Sequence, residues 1–180
     1  MARAMELRPA TLADVPALAA LGRESFTAAF GDLYQPQDLA EFLAEAHDER
    51  LIASEIAGGE CRHRLAVADD GTLLGYCKLR VNGKLSELSH AADPIELAQL
   101  YCAGSATGQG VGAALMDWVL GEATAGEHDA IVLSVYSENH GAQRFYKRYG
   151  FAKTADTTFR VGEQIDAEFL FEKPLSGASA

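Results

Sequence analysis

Three glycines on alternate positions mark a place where the chain could bind an anion. Gly108, Gly110 and Gly112 lie in ATGQGVGAAL, residues 106–115, directly after a strand-like run and directly before an apolar helical one. The first backbone N–H groups of a helix have no acceptor one turn back, and they point along the positive end of the helix dipole. Glycine lets a phosphate approach those groups without interference from a Cβ atom. The spacing therefore predicts a phosphate cradle, with a plain strand-to-helix connection as the alternative.

The loop does not match the common nucleotide-binding motifs. It lacks the Gly-Lys-Ser/Thr ending of a P-loop, and its glycine spacing differs from the G-x-G-x-x-G of a dinucleotide fold. An enzyme that depends on ATP or NAD is therefore disfavoured, and any phosphate held by this loop is expected to belong to another ligand.

A second segment with chemical potential is NHGAQRFYKRYGF, residues 139–151, a short helical pattern closed by Gly150. Tyr146 follows Asn139 by seven residues, close to two turns, so both side chains lie on the same side of that helix. A tyrosine there could donate a proton, and an asparagine could contact a ligand, cap the helix, or do both. The alternative for Tyr146 is a core aromatic whose hydroxyl has a partner.

Taken jointly, these segments resemble the GNAT superfamily of acyl-CoA-dependent N-acyltransferases. The run L100-Y-C102 before the loop matches the family's L-Y-V-like strand, and the later helix matches its N-x-x-A-x-x-F-Y-x-x-x-G-F pattern at each position, within a resemblance over roughly residues 5–173. It implies direct transfer of an acetyl group from acetyl-CoA to a primary amine, with the loop holding the coenzyme A pyrophosphate and with no metal. The residues that it assigns to acetyl-CoA are Leu100, Tyr101, Cys102, Thr107, Gly108, Gln109, Gly110, Val111, Gly112, Ala113, Asn139, Ala142 and Tyr146.

The reaction implied by this resemblance needs a neutral amine and a proton for the leaving thiolate. Tyr146 matches the tyrosine that often serves the family as the general acid. Glu96 is the candidate base, because some relatives place a carboxylate on the strand before the loop, and regular alternation puts it on the same face as Ala98 and Leu100. A surface glutamate without a catalytic role fits the pattern equally well.

The loop departs from the family pattern at two positions. Thr107 stands where the family usually has Arg or Gln, and Gly104 replaces a frequent proline. Loss of a cation removes a charge-assisted contact of about 1.5–3 kcal/mol, which corresponds to roughly ten- to a hundredfold in affinity. Because the backbone donors of residues 109–113 remain, we expect weakened rather than abolished binding.

The elements that must position these residues alternate between strand and helix patterns. Strands are predicted at residues 5–10, as a hairpin around Asp70-Gly71, at 95–102, at 130–136 and as a C-terminal hairpin; helices are predicted after Thr11, Pro36, Gly112 and Asn139. With the resemblance, this order predicts an α/β, GNAT-like single domain over residues 1–180, with a core at roughly 5–173 and a tail at 174–180 that ends in a disordered SGASA. Its centre is a mixed, mostly antiparallel sheet of about seven strands, flanked on both faces by about four helices.

Composition limits the partners of this chain. Its 180 residues carry a formal net charge of -11, and the shortage of Lys and Arg argues against a nucleic-acid partner. No apolar stretch approaches the roughly 20 residues that span a membrane, and the N-terminus lacks a signal-peptide pattern, so a cytoplasmic protein with no membrane partner is expected. Cys61, Cys77 and Cys102 form no C-x-x-C pair and are expected as reduced thiols.

The segment between the first strand and the second helix commonly covers the acceptor site in this family. Phe30 and Tyr34, with Phe26, could form an aromatic wall there, and neighbouring acidic residues could attract a cation, although a solvated acidic helix face explains the charges equally well. This segment, together with T158-F-R-V-G-E-Q-I-D-A-E168, is similar to bacterial polyamine N-acetyltransferase-like proteins. That similarity makes a small-molecule polyamine the first expected substrate, ahead of a peptide or protein amine or another small amine. A non-catalytic acyl-CoA-binding module is the alternative from another class, and both a monomer and a homodimer stay open.

Overall fold

Seven strands form one sheet in the computed structural model, which describes residues 4–175. The strands are β1 Met5–Pro9, β2 Cys61–Ala68, β3 Leu73–Arg80, β4 Pro94–Cys102, β5 Ala130–Tyr136, β6 Ala152–Val161 and β7 Gln164–Pro174. Their order across the sheet is β1-β2-β3-β4-β5-β7-β6, and every neighbouring pair is antiparallel except β4 with β5. The expected mixed, mostly antiparallel sheet is confirmed. The expected disordered stretch SGASA lies outside the described residues.

Five α-helices pack against this sheet within residues 4–175. They are α1 Val15–Phe30, α2 Pro36–Ala46, α3 Glu49–Ala57, α4 Val111–Ala125 and α5 His140–Arg148. Side chains of α1 and α3 form a core cluster with Leu65 and Tyr76 on one face of the sheet. Side chains of α4 and α5 pack on the other face with Cys77 and Leu79. Helices therefore cover both faces, as the sequence predicts.

The single helix predicted after Pro36 is two helices, α2 and α3. Asp48 accepts hydrogen bonds from the backbone N–H groups of Arg50 and Leu51, at 2.7 and 3.1 Å, and so caps the start of α3. A cap inside an otherwise helical pattern ends one helix and begins another, because the capping residue takes an extended conformation.

Two other local signals in the sequence are confirmed. The Thr11 N–H donates to Asp14 at 2.8 Å, within a capping box that precedes α1. Gly71 has φ +84° in the turn that joins β2 to β3, a conformation that favours glycine.

Helix α4 approaches the sheet closely, because β3 carries a glycine beneath its first turn. A Cβ atom at Gly75 would lie 2.7 Å from the Tyr101 carbonyl oxygen and 2.8 Å from a Val111 methyl group. Only glycine therefore lets β4 and the first turn of α4 meet over β3. Cys61, Cys77 and Cys102 are free thiols, as expected. Over the described part of the chain, no helix is long and apolar enough to cross a membrane.

Candidate active site

The site is built where β4 and β5 part. These parallel strands pair only from Pro94 to Glu96 with Ala130 to Val132, and beyond Val132 they diverge. A cavity of about 300 Å³ opens between residues 97–101 of β4 and residues 133–136 of β5. We call it the interstrand pocket; the rest of its lining is Ser25, Phe26, Ala29, Phe30, Tyr34, Asn139, Ala142, Tyr146, Phe159, Asp166 and Glu168.

A β-bulge at Ala98 reverses the face on which the following residues of β4 lie. Leu79 pairs with Leu97, but Lys78 pairs with Gln99, so Ala98 is an extra residue in β4. Glu96, opposite Arg80, therefore shares its face with Gln99 and not with Leu100. The expectation that Glu96 lies on the face of Ala98 and Leu100 is wrong, because it assumed unbroken alternation.

Glu96 is not among the residues that line the interstrand pocket. Its side chain is 6% exposed and lies under the loop at Gly83, where an added Cβ atom would overlap the carboxylate. The Arg80 guanidinium is 3.8 Å away, and Glu96 Oε2 is buried without a hydrogen-bond partner. Burial raises the pKa of this carboxyl, while Arg80 and Lys78 oppose that rise.

Leu100 and Tyr101 line the pocket, and Cys102 follows them toward α4. Burial raises the pKa of Tyr101 to about 12, with a smaller contribution from the Glu168 carboxylate. A Cβ atom at Gly112 would lie 3.7 Å from Cys102 Sγ, so this strand leads directly to the first turn of α4. On the side facing β5, the backbone of this part of β4 pairs with no strand formed by residues 4–175.

The glycine loop presents an open helix N-terminus at the end of β4. Gly108 and Gly110 have φ of +79° and +81°, and a Cβ atom at either one would meet no other atom within 4 Å. The first helical acceptor is Gly110 O, which receives the Ala114 N–H at 3.0 Å. The N–H groups of residues 111–113 precede it and have no acceptor one turn back.

The loop residues that the resemblance assigns to acetyl-CoA lie together around this N-terminus. Thr107 is exposed, and its hydroxyl donates to the Ala103 carbonyl at 3.5 Å. The Gln109 amide donates to the Ser105 carbonyl at 2.8 Å. Val111 is buried and packs against the sheet. None of these loop residues has a cationic side chain, so the loop offers a ligand backbone N–H groups instead.

Helix α5 brings Asn139, Ala142 and Tyr146 to the pocket on one side, as their spacing predicts. Asn139 is the N-cap, since its Oδ1 accepts the Ala142 N–H at 3.1 Å. In the described part of the chain, no hydrogen bond reaches the Tyr146 hydroxyl, which disfavours a core aromatic with a satisfied hydroxyl. Burial raises the pKa of Tyr146, with smaller contributions from Tyr101 and Cys102.

A cluster of aromatic side chains also lines the pocket. The rings of Phe26 and Phe30 lie 5.2 Å apart on α1, and Phe26 stacks on Tyr34 at 6.0 Å. Phe30 meets the edge of Tyr136 at 5.9 Å, and Phe26 lies 6.2 Å from Phe159. The aromatic wall expected at Phe26, Phe30 and Tyr34 is thus assembled, with β5 and β6 contributing to it.

Two carboxylates of the pocket, Asp166 and Glu168, were not singled out by the sequence patterns. Both lie on β7, and Glu168 is opposite Tyr136 of β5. The Tyr34 hydroxyl donates to Asp166 Oδ2 at 2.5 Å. The only signal for them was their place in T158-F-R-V-G-E-Q-I-D-A-E168, the stretch that is similar to polyamine N-acetyltransferase-like proteins. The acidic residues of α2, by contrast, do not line the pocket.

The charge in the pocket is of one sign. Asp166 and Glu168 line it, whereas its lining includes no Lys, Arg or His among the described residues. Burial raises the pKa of Glu168; Ser134 opposes that rise by hydrogen bonding, and Asp166 adds to it. A buried carboxylate without a cationic partner is costly, so the pocket is complementary to a cation.

Comparison with known proteins shows which protein family this chain is similar to. The model of the acetyltransferase (GNAT) family matches residues 23–151. An uncharacterized N-acetyltransferase of Lactobacillus delbrueckii subsp. lactis is 30% identical over 165 residues, which cover 90% of this chain and 92% of that protein. An uncharacterized N-acetyltransferase of Mycobacterium tuberculosis is 30% identical over 166 residues, 91% of this chain and 99% of that protein.

Among solved structures, the fold is similar to the PaiA N-acetyltransferase of Thermoplasma acidophilum in complex with coenzyme A. The TM-score is 0.78 at 21% identity, covering 96% of this chain and 99% of that chain. The likeness at this identity concerns the fold alone.

Proposed function

The chain belongs to the acetyltransferase (GNAT) family, and from that premise we propose that it transfers the acetyl group of acetyl-CoA directly to a primary amine of a cationic small molecule, with a polyamine as the first candidate. The observation that carries this proposal is the parting of β4 and β5, which opens one pocket lined by Tyr101 and Tyr146 and also by Asp166 and Glu168. An acyl donor and an amine can meet in such a pocket.

The donor half of the proposal rests on backbone groups. A linear chain with amide groups, such as the pantetheine arm of coenzyme A, can pair with the free side of β4 as an added strand would. Its pyrophosphate would then reach the N-terminus of α4, where the N–H groups of residues 111–113 point outward. The structurally similar PaiA protein was crystallised with coenzyme A. Because Thr107 supplies no cation, we expect affinity to depend mainly on these backbone donors.

Tyr146 is the proposed proton donor to the thiolate. Tyr146 lines the pocket, and the raised pKa of its hydroxyl keeps that group protonated at neutral pH. The same environment raises the proton affinity of a thiolate, because burial disfavours any anion; burial likewise raises the pKa of the neighbouring Cys102 thiol. The departing thiolate therefore becomes a stronger base in the pocket than it is in water.

The acceptor half rests on charge and shape. The pocket combines two carboxylates with the aromatic rings of Phe26, Phe30, Tyr34 and Phe159, a combination that suits an alkylammonium chain. A polyamine carries several ammonium groups, so one can react while another stays near a carboxylate. A single lysine side chain on a peptide has the same terminal group and is the next candidate.

The test is acetyl-CoA-dependent thiol release by the purified protein with spermidine, spermine, a lysine-bearing peptide, an aminoglycoside and a neutral hydroxyalkylamine. We expect release above the hydrolysis background with the polyamines, together with a mono-acetylated product in the mass spectrum. Release with another amine alone would keep the transferase and reject the polyamine. If calorimetry shows acetyl-CoA binding but no amine on the panel causes release, an acyl-CoA-binding module replaces this proposal.

A further inference from the structure

The interstrand pocket contains a carboxylate suited to take the proton of the acceptor amine. We propose that Glu168 on β7 is this proton acceptor, and that Asp166 and Tyr34 are positioning residues that hold the wall beside it. This inference rests on the proposed amine acetylation, and it assigns to Glu168 the role of base that the sequence suggested for Glu96.

Glu96 is excluded by where it lies. Its carboxylate is covered by the loop at Gly83 and faces Arg80, on the part of β4 that still pairs with β5. The pocket begins at the next residue, Leu97. An amine in the pocket therefore has no direct path to Glu96.

Asp166 is in the pocket, but both of its oxygens already accept hydrogen bonds. Oδ2 receives the Tyr34 hydroxyl at 2.5 Å, and Oδ1 receives the Gln164 amide at 2.8 Å. The side chain is 8% exposed. Tyr34 lies in the segment that connects α1 to α2, so its hydrogen bond to Asp166 attaches this segment to β7. These contacts make Asp166 a structural link rather than a free base.

Glu168 is the carboxylate that remains. It is half-buried, lies opposite Tyr136 in the β5–β7 ladder and interacts with Ser134, Tyr101 and Asp166, which also line the pocket. None of these groups is a cation, and no cationic side chain of the described chain lines the pocket. The pocket thus contains two neighbouring carboxylates and no cationic side chain from the described residues. The ammonium group of a bound substrate would supply the missing positive charge. Burial and Asp166 raise the pKa of Glu168, which makes it a better proton acceptor.

The proton balance of the reaction closes with these groups. The substrate ammonium gives one proton to the Glu168 carboxylate, and the nitrogen lone pair then forms a bond to the thioester carbonyl carbon. The C–S bond breaks, and its electron pair leaves on sulfur, which takes the proton of the Tyr146 hydroxyl. The second proton lost by nitrogen restores Tyr146, and Glu168 releases its proton to solvent. The net products are the amide, the free thiol and one proton.

The experiment compares Glu168→Gln with wild type, using spermidine and acetyl-CoA, by kcat and KM over a range of pH. The matched control is Glu172→Gln, four residues along the same strand, whose carboxylate accepts the Ser89 hydroxyl at 2.7 Å outside the pocket. Near neutral pH we expect kcat of Glu168→Gln to fall by about 10²- to 10⁴-fold. We expect acetyl-CoA affinity, measured by calorimetry, to be unchanged, which also reports that the variant is folded.

The pH profile separates a base from a charge that only binds substrate. In wild type, kcat/KM should fall as pH drops through the pKa of Glu168, because the base becomes protonated. In Glu168→Gln, the rate should instead keep rising toward the ordinary amine pKa of about 10, since only free amine then reacts. Added formate should restore part of the rate of Glu168→Gly, because it can occupy the vacated space and accept the proton.

Three results would overturn the assignment. Unchanged kcat in Glu168→Gln would do so, as would a raised spermidine KM with wild-type kcat and pH profile, which indicates binding only. A comparable loss in Glu96→Gln but not in Glu168→Gln would return the role to Glu96. In all three cases wild-type transfer persists, so the proposed function stands; if wild type acetylates no amine, the function and this inference fail together.

Discussion

At the scale of single residues, the Tyr146 hydroxyl is the group whose role is easiest to isolate. We expect Tyr146→Phe to lower kcat by roughly 10²-fold or more, with a much smaller change in the acetyl-CoA KM, because the hydroxyl is the proposed proton donor to the leaving thiolate. Steady-state kinetics with spermidine at saturating acetyl-CoA measures both parameters.

Tyr149→Phe is the control for that experiment. Tyr149 lies on the next turn, 5.1 Å from the Phe145 ring, and outside the pocket. We expect its kinetics to match wild type. If Tyr146→Phe retains wild-type kcat, Tyr146 is not the proton donor.

The residues of α5 could be predicted from the sequence because they depend on one local element. A seven-residue spacing fixes the shared side of Asn139 and Tyr146 on any regular helix. Asp166 and Glu168 could not be placed this way. They reach the pocket only because β7 inserts between β5 and β6, and this long-range pairing leaves no periodic signal in β7 itself.

At the scale of elements, the first turn of α4 and its glycine loop act as one unit. Gly110 has φ +81°, where an alanine costs roughly 1–2 kcal/mol. Its Cβ position is open to solvent, on the side where a phosphate would approach. We expect Gly110→Ala to weaken acetyl-CoA binding at least tenfold by calorimetry while the protein stays folded.

Two companion variants separate strain from obstruction. Gly104→Ala adds the same methyl group to a position that is also open but lacks a positive φ, and it should bind acetyl-CoA as wild type does. Gly110→Asn relieves part of the strain, since asparagine tolerates this conformation, yet it still fills the approach. Near-normal affinity in Gly110→Asn would attribute the loss to strain, and full affinity in Gly110→Ala would refute the cradle.

The strands and helices themselves follow from alternation and helical spacing, but a bulge does not. The Ala98 bulge adds one residue between Leu97 and Gln99, and strict alternation, which leaves that extra residue out of account, put Glu96 and Leu100 on one face. The alternation of polar and apolar residues indicates the face on which each side chain lies. The position of a bulge depends instead on how the strand pairs with its neighbour. This difference is why the strand was predicted correctly and the face of Glu96 was not.

At the scale of the whole molecule, two buried histidines couple stability to pH. Burial, reinforced by Lys78, lowers the pKa of both His47 and His63 to about 4. The unfolded chain binds protons at an ordinary pKa of about 6.5, so unfolding takes up protons below that pH. The contribution of the two histidines to the free energy of unfolding should therefore fall as pH drops from about 6.5 to about 4 and level off below. Asp14 and Glu55, whose pKa values are lowered in the folded protein, add a separate loss of stability at lower pH.

Urea unfolding curves at several pH values measure this loss. His63→Gln should lose less stability than wild type over the same range, while the variant of an exposed histidine, His90→Gln, should follow wild type. Burial raises the pKa values of Glu96 and Glu168, so these two groups make the folded protein more stable as pH falls, opposite to the histidines. Both are present in wild type, His63→Gln and His90→Gln, so they do not affect the comparison. Parallel curves for His63→Gln and wild type would contradict the prediction.

The net charge of the molecule predicts opposite salt effects for acetyl-CoA and for the proposed polyamine substrate. A formal charge of -11 attracts a polyamine and repels acetyl-CoA, which is itself an anion. Salt screens both effects, because the Debye length falls from about 30 Å at 0.01 M to about 8 Å at 0.15 M. As salt rises over that range, kcat/KM for spermine should fall and kcat/KM for acetyl-CoA should rise or stay level. A monoamine of similar length should respond less than spermine, since it carries fewer charges. Equal responses of spermine and the monoamine would show that the acidic surface does not steer the acceptor, and would confine charge selection to Glu168 and Asp166 in the pocket.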